Sequence, residues 1–286
     1  MTDPCAAKEI LSRAIANGSA IPAMPVVIGR LTELCRDPAA TARDLAKVIQ
    51  MDTNLATKIL RRVNSSFYGL SAQIKTITHA VVILGFQEVK HMAMTFPVAA
   101  LFQEKRSCGL DLPKLWEWTL RVACLARALS YNANHPVPEQ IFISAILGKT
   151  GMLIMNNILG EDYAAAIGET LTGEKVPLVE KQFYGVSHVQ IGWIMAKQWK
   201  FPEELLDAIA YQYNPTPQAG FKCEAALIYS ARRIYSAFCA DGDLPATLAE
   251  FPAAVTETLK LNPETAQKAL IRSSAESEEI KTLLEN

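Results

Sequence analysis

The stretch DTNLATKILRRVNSSFYGLSAQIKTITHAVVILG, residues 52–85, carries the densest run of helix punctuation in the chain. Asp52 is placed to cap a helix in which Ala56, Ile59, Leu60 and Val63 recur at i, i+3, i+4 and i+7, the spacing of one buried face. Lys58, Arg61 and Arg62 then fall on the opposite, wetted face. Asn64-Ser65-Ser66 and Gly69 stop this helix. Thr76 caps the next, in which Ile77, Ala80, Val81 and Leu84 repeat the spacing until Gly85 ends it. The expectation is two short helices joined by a polar, aromatic-tipped turn.

Outward from this pair the pattern stays helical. Thr41 with Asp44 three positions on predicts a capping box that opens a helix with Leu45, Val48 and Ile49 inward. Downstream, Val89, Met92, Ala93 and Phe96 share a face until Pro97, which is expected to kink or end the helix. Residues 103–113 read as a loop and as the boundary between two bundles. A long helix from Pro113 carries Leu115, Trp118, Val122, Leu125 and Leu129, and a loop at 132–138 follows. The next helix runs from Glu139 through Ile146 towards Gly148 and Gly151, whose permissive backbones weaken or bend it. Further helices are expected from Ala164 to Leu171, from Pro177 towards Trp199, after Pro202 with Leu205, Ala208 and Ile209 inward, over 221–239 with Leu227, Ala231, Ile234 and Phe238 on one face, and after Asn262-Pro263. No alternating strand pattern runs for more than a few residues. The fold class expected is all-α, in two packed helical sub-bundles.

Composition narrows the class. Hydrophobic residues make up 50% of the 286, charged residues 20%, and the net charge is -1, as in a globular chain able to bury a substantial core. That balance argues against a general polyanion-binding surface. Six cysteines, at 5, 35, 108, 124, 223 and 239, include no C-x-x-C pair and suit reduced thiols in a cytoplasm. Asp3 and Glu9 interrupt the N-terminus where an export signal would be apolar, and the stretches Ala80–Phe86 and Met92–Phe102 are too short to span a membrane. A cytoplasmic protein without a membrane segment is the expectation.

The order of motifs resembles the HDOD domain family: an IPAMP lead-in with Pro22 and Pro25, Leu45 and Ile49 running to Asp52, Leu55 and Leu60 before Asn64-Ser65, then Tyr68-Gly69, Ile77, Ala80 and the Leu84-Gly85 stop. That family groups bacterial signalling proteins related in fold to HD metal phosphohydrolases. The resemblance covers residues 20–215, with an N-terminal bundle to about residue 105 and an HD-like bundle from about 113. Residues 1–19 would be a lead-in helix, and 216–286 would complete the second bundle.

What the resemblance implies most sharply is a lost metal site. A hydrolytic metal needs several converging imidazole or anionic ligands and an open position for water. At the position of the first histidine of such enzymes stands Trp118; the His-Asp pair falls on Gly148 and Lys149; the closing aspartate falls on Arg232; a paired histidine segment reads Gln212-Tyr213. Of the ligand-type residues His188 survives, eight positions after Glu180. Lys149 and Arg232 would put positive charge where a divalent cation must sit. No cofactor is therefore expected, and metal-dependent phosphohydrolase activity is the weaker alternative.

Plainer roles stand beside these. Trp118 lies on an apolar stripe and reads as a core filler, Gln212 as a buried amide with structural hydrogen bonds, and His188 as a satisfied helix histidine. Lys149 reads either as the holder of an anion in the emptied pocket or as a solvated loop lysine. Asn64 and Ser65 read as helix-end caps, and the resemblance implies that they also fix the turn against the second bundle. The segment DLAKVIQMDTNLATKILRRV also looks like a helix-turn-helix with Lys58, Arg61 and Arg62 outward, but its turn lacks a glycine and its surroundings are not basic, so nucleic acid is the least favoured partner. The function expected is a non-catalytic signalling module that binds a protein partner, or a nucleotide or other small anionic ligand, at the degenerate pocket or across the junction of the two bundles, with Asp52, Arg61, Arg62, Asn64, Ser65 and Tyr68 as the inter-bundle or partner candidates.

Overall fold

In the computed structural model, the described residues are 24–285 without 35–36, 38, 66–67, 103–108, 137, 169–171, 217–219 and 221. The lead-in helix expected over 1–19, Pro22, Ser66, most of the 103–113 loop and Cys5, Cys35 and Cys108 lie outside them. Every regular element among the described residues is an α-helix, as expected. The chain forms two compact units, one of residues 24–100 joined by the segment that begins at Ser274, the other of residues 101–273.

In the first unit, α1 (Val26–Leu34), α2 (Ala42–Gln50), α3 (Thr53–Val63), α4 (Ile77–Leu84) and α5 (Phe86–Ala100) follow in order. The three caps read from the sequence are all made. Thr41 accepts from the Asp44 amide while Asp44 accepts from the Thr41 amide, Asp52 accepts from the Leu55 amide, and Thr76 accepts from the His79 amide. Each satisfies a helix-start donor that has no partner within the helix. Gly85 closes α4 at φ 90°, a conformation that favours glycine.

The buried face of α3 is turned by about one position from the expected one. Leu55, Ile59, Arg62 and Val63 are buried, whereas Ala56 and Leu60 are half-buried. Arg62, expected on the wetted face, is 3% exposed. It is drawn inward by two carboxylates, Glu276 at 3.2 Å and Glu279 at 3.0 Å, and its guanidinium lies 5.5 Å from the Tyr68 ring centroid. Periodicity cannot reveal this, because the counter-charges lie more than two hundred residues away. Helix α5 does not end at Pro97 but continues through it to Ala100. The lost amide bond and ring clash fall in the last turn, where the buried Val98 and Ala99 anchor the backbone.

The second unit contains α6 (Leu112–Asn132), α7 (Pro138–Leu147), α8 (Thr150–Leu159), α9 (Glu161–Ile167), α10 (Val176–Tyr184), α11 (His188–Gln198), α12 (Glu203–Tyr211), α13 (Cys223–Cys239), α14 (Leu244–Ala249) and α15 (Ala253–Thr258). Helix α6 is its axis, buried from Val122 to Ser130 and packed against α7 and α13. Residues 138–159 are long and apolar enough to cross a membrane, but the helix breaks at Gly148-Lys149 and 89% of the apolar window is buried. The run is two core helices.

One helix was expected from Pro177 towards Trp199, and two are present. Gly185 ends α10 in the left-handed region at φ 72°, and Ser187 with Gln190 forms the capping box that starts α11. Phe238, expected inward on α13, is 58% exposed near the frayed end of that helix. Helix α16 (Pro263–Glu285) starts as expected, with Asn262 accepting from the Thr265 amide. Its part from Ser274 onward belongs to the first unit through the Arg62 pairs, which differs from a C-terminal segment wholly within the second bundle.

Candidate functional site

The seven residues assigned to the degenerate pocket come from five places in the sequence and meet inside the second unit. Trp118 projects from α6, Gly148 and Lys149 form the break between α7 and α8, His188 opens α11, Gln212 and Tyr213 follow α12, and Arg232 lies on α13. Gly148 is required by the approach of Gln212: a Cβ there would stand 2.8 Å from the Gln212 Nε2. That amide nitrogen donates to the Gly148 carbonyl at 3.3 Å and to the Ile209 carbonyl at 3.0 Å. Gln212 therefore makes the structural hydrogen bonds read from its buried position.

Lys149 is 1% exposed, which corrects the reading of a solvated loop lysine. Its Nζ donates to the Tyr213 hydroxyl at 3.1 Å and lies 4.9 Å from the Trp118 ring centroid. Trp118 is thus both the core filler expected and a π-face beneath a cation. Arg232, 1% exposed, stacks 3.4 Å from the Tyr213 ring centroid, donates to the Gln212 carbonyl at 2.9 Å and pairs with Glu174 at 2.7 Å.

On the other side of Tyr213 a second chain of bonds begins. The His188 Nε2 is 3.3 Å from the Tyr213 hydroxyl, and its Nδ1 is 2.7 Å from a Glu180 oxygen. The same Glu180 oxygen accepts from the His188 amide at 2.7 Å, and the other oxygen accepts from Tyr163. Glu174, Tyr163 and the carboxylate role of Glu180 were not assigned from the sequence. An S-x-x-Q start at Ser187 would have placed His188 at a helix opening, but nothing local marks Glu174, which precedes α10 in a turn.

The electrostatics follow from burial and pairing. Burial first, and the Arg232 charge second, lower the Lys149 ammonium from the usual lysine value to about 7, although Glu180 and Glu174 pull the other way. Burial also lowers His188, opposed by Glu180. For Glu180, burial would raise the carboxyl, but His188 and the Tyr163 hydroxyl together hold it below the usual carboxylate value. Tyr213 is pushed up by burial.

This donor set does not suit a divalent metal. Among the described residues no three His, Cys, Asp or Glu side chains are grouped to hold a metal ion: His188 and Glu180 are engaged with each other, and Glu174 pairs with Arg232. Lys149 and Arg232 stand where further anionic ligands would be needed.

The second set of assigned residues lies in the first unit and does different work. Asp52 caps α3. The Asn64 amide donates to the Leu60 and Ile74 carbonyls, each at 2.8 Å, and accepts from the Ile74 amide at 2.7 Å. It closes α3, the capping role expected of it, and pins the returning chain at Ile74 of the same unit rather than a turn against the second bundle. Ser65 donates to the Arg62 carbonyl at 2.7 Å, and Tyr68 donates to Glu88. Arg61 is exposed, while the burial of Arg62 removes one of the cations that the helix-turn-helix reading needed outward.

The chain is all-α, with its polar cluster between a broken helix pair and a long central helix, and its fold is of the HD-like helical class. Within that class the HDOD domain matches residues 21–215, and the chain belongs to the HDOD domain family. A Shewanella amazonensis structure provisionally named a phosphohydrolase has a TM-score of 0.73 at 24% identity, over 96% of this chain and 98% of that one. A Marinobacter aquaeolei structure, provisionally named a signal transduction protein, has a TM-score of 0.74 at 19% identity, over 100% of this chain and 67% of that one. At these identities the likeness is one of fold. An uncharacterised protein of Treponema pallidum is 21% identical over 197 residues, 68% of this chain but only 38% of that relative's length.

Proposed function

We propose that this protein is a non-catalytic signal-transduction module that acts by binding a protein partner. The observation that carries this reading is the filling of the pocket by its own side chains. Lys149 and Arg232 supply internal positive charge, and each is held by a hydrogen bond or ion pair within the cluster. A bound divalent ion would have to displace or neutralise both cations, a cost that His188 and Glu180 alone would not offset.

The two provisional names among the structural relatives divide along the same line, one hydrolytic and one signalling. The pocket chemistry favours the second. Because Lys149, Arg232, His188 and Glu180 are bonded within the cluster, partner binding is assigned to the protein surface, and a small anionic ligand in the pocket is the less favoured occupant.

Elemental analysis of the purified protein, with hydrolysis of a chromogenic phosphodiester in the presence of manganese, iron or zinc, tests the reading. The expected result is no stoichiometric metal and no turnover above the metal-only control. One or two equivalents of metal, with turnover that disappears in His188→Ala, would overturn it.

A further inference from the structure

The first unit holds a groove of about 910 Å³ in which the charge balance is one-sided. One wall is the face of α3 that carries Thr57, Leu60 and Arg61; the other is the returning segment with Gln73 and Lys75; Thr282 of α16 closes one side. Among the described residues no carboxylate lines it. Arg61 and Lys75 are both exposed, and neither has an ion pair among the described residues. Their neighbour Arg62 is the opposite case, buried with two carboxylates.

The spacing of the walls is set internally. Asn64, at the junction, bonds to the Leu60 carbonyl on one side and to both backbone groups of Ile74 on the other, so the two cations are carried on fixed backbone. A groove built in advance loses less freedom on binding. Its volume of about 910 Å³ is at the upper end of the ~300–1,000 Å³ of small-molecule sites, and polar or charged residues, Arg61 and Lys75 among them, outnumber the apolar Leu60 and Ile74 along its walls. The half-buried Leu60 and the buried Ile74 offer a narrow apolar floor between the cations.

We propose that this groove docks an acidic peptide segment of a protein partner, with carboxylates meeting Arg61 and Lys75 and an apolar side chain resting on Leu60. The proposal rests on the reading of the protein as a partner-binding module and names its surface. Charge complementarity of this kind acts chiefly on encounter rate and on the choice of partner.

Fluorescence anisotropy of the full-length protein with a labelled Glu-Leu-Glu-Glu-Leu-Glu peptide tests it, beside a second peptide with glutamine in place of every glutamate. The acidic peptide should bind at low salt and weaken as salt rises. The glutamine peptide, and the double variant Arg61→Glu with Lys75→Glu, should each lower affinity about tenfold or more. Circular dichroism of the variant confirms that it is folded. Equal binding of the two peptides, or undiminished binding by the variant, overturns the proposal. So does a dependence on Arg61 and Lys75 shown by duplex DNA or inorganic triphosphate and not by the peptide. Failure here in a metal-free, inactive protein removes the groove alone, whereas stoichiometric metal with turnover removes the non-catalytic reading itself.

Discussion

The pocket of the second unit and the groove of the first each present two cations, and they use them in opposite ways. Lys149 and Arg232 are 1% exposed and bonded to Tyr213, Gln212 and Glu174, so their charge is part of the interior. Arg61 and Lys75 are exposed on a fixed backbone with no ion pair among the described residues. A buried cation must be matched within the fold, because removing it from water is costly. An exposed one needs no match and stays available to a partner.

The comparison breaks most visibly at Glu180. Glu180→Ala leaves the His188 amide and ring and the Tyr163 hydroxyl buried without their acceptor, and should cost about 3–5 kcal/mol in urea unfolding. A loss below about 1 kcal/mol would show that the cluster is not a structural unit.

Lys149 is tested by pH. With a folded value near 7 against an unfolded value near 10.5, the unfolded chain holds more protons at this residue between those two pH values. Stability should therefore rise with pH across that window, by an amount on the order of a few kcal/mol; below it Lys149 is charged in both states and its burial penalty is complete. In Lys149→Met the rise should flatten, and an unchanged slope would assign the titration elsewhere.

In the first unit the effects should be smaller. Asn64→Ala removes bonds to Leu60 and Ile74 and should cost about 1–3 kcal/mol, with faster amide exchange at Ile74. Leu60→Ala should cost only about 1 kcal/mol, since the side chain is half-buried and the fully buried face of α3 is formed by Leu55, Ile59 and Val63. Arg61→Glu should change stability by less than about 0.5 kcal/mol while weakening acidic-peptide binding. A large destabilisation by Arg61→Glu would move this residue from the groove's side of the comparison to the pocket's.

What was legible in the sequence is what local physics controls. The capping residues Thr41, Asp52, Thr76 and Asn262 marked helix starts correctly because a cap bonds within the next three residues. Gly85 marked a stop because its backbone takes a conformation other residues resist. The spacing of Leu115, Trp118, Val122, Leu125 and Leu129 picked out buried positions of α6, but not that the helix is buried all round from Val122 to Ser130, which depends on the helices packed against it. The family resemblance also named residues, from Trp118 to Arg232, that the fold brings into contact with one another.

Tertiary structure alone decided where the charges went. Arg61 and Arg62 are adjacent, identical in type and both outward by periodicity, yet one is exposed and the other 3% exposed, because α16 places Glu276 and Glu279 against the second. Lys149 read equally well as a loop lysine until Trp118, Tyr213 and Arg232 were seen around it. Whether a charged side chain is buried depends on counter-charges supplied by remote segments, and a single sequence carries no record of which remote segments meet.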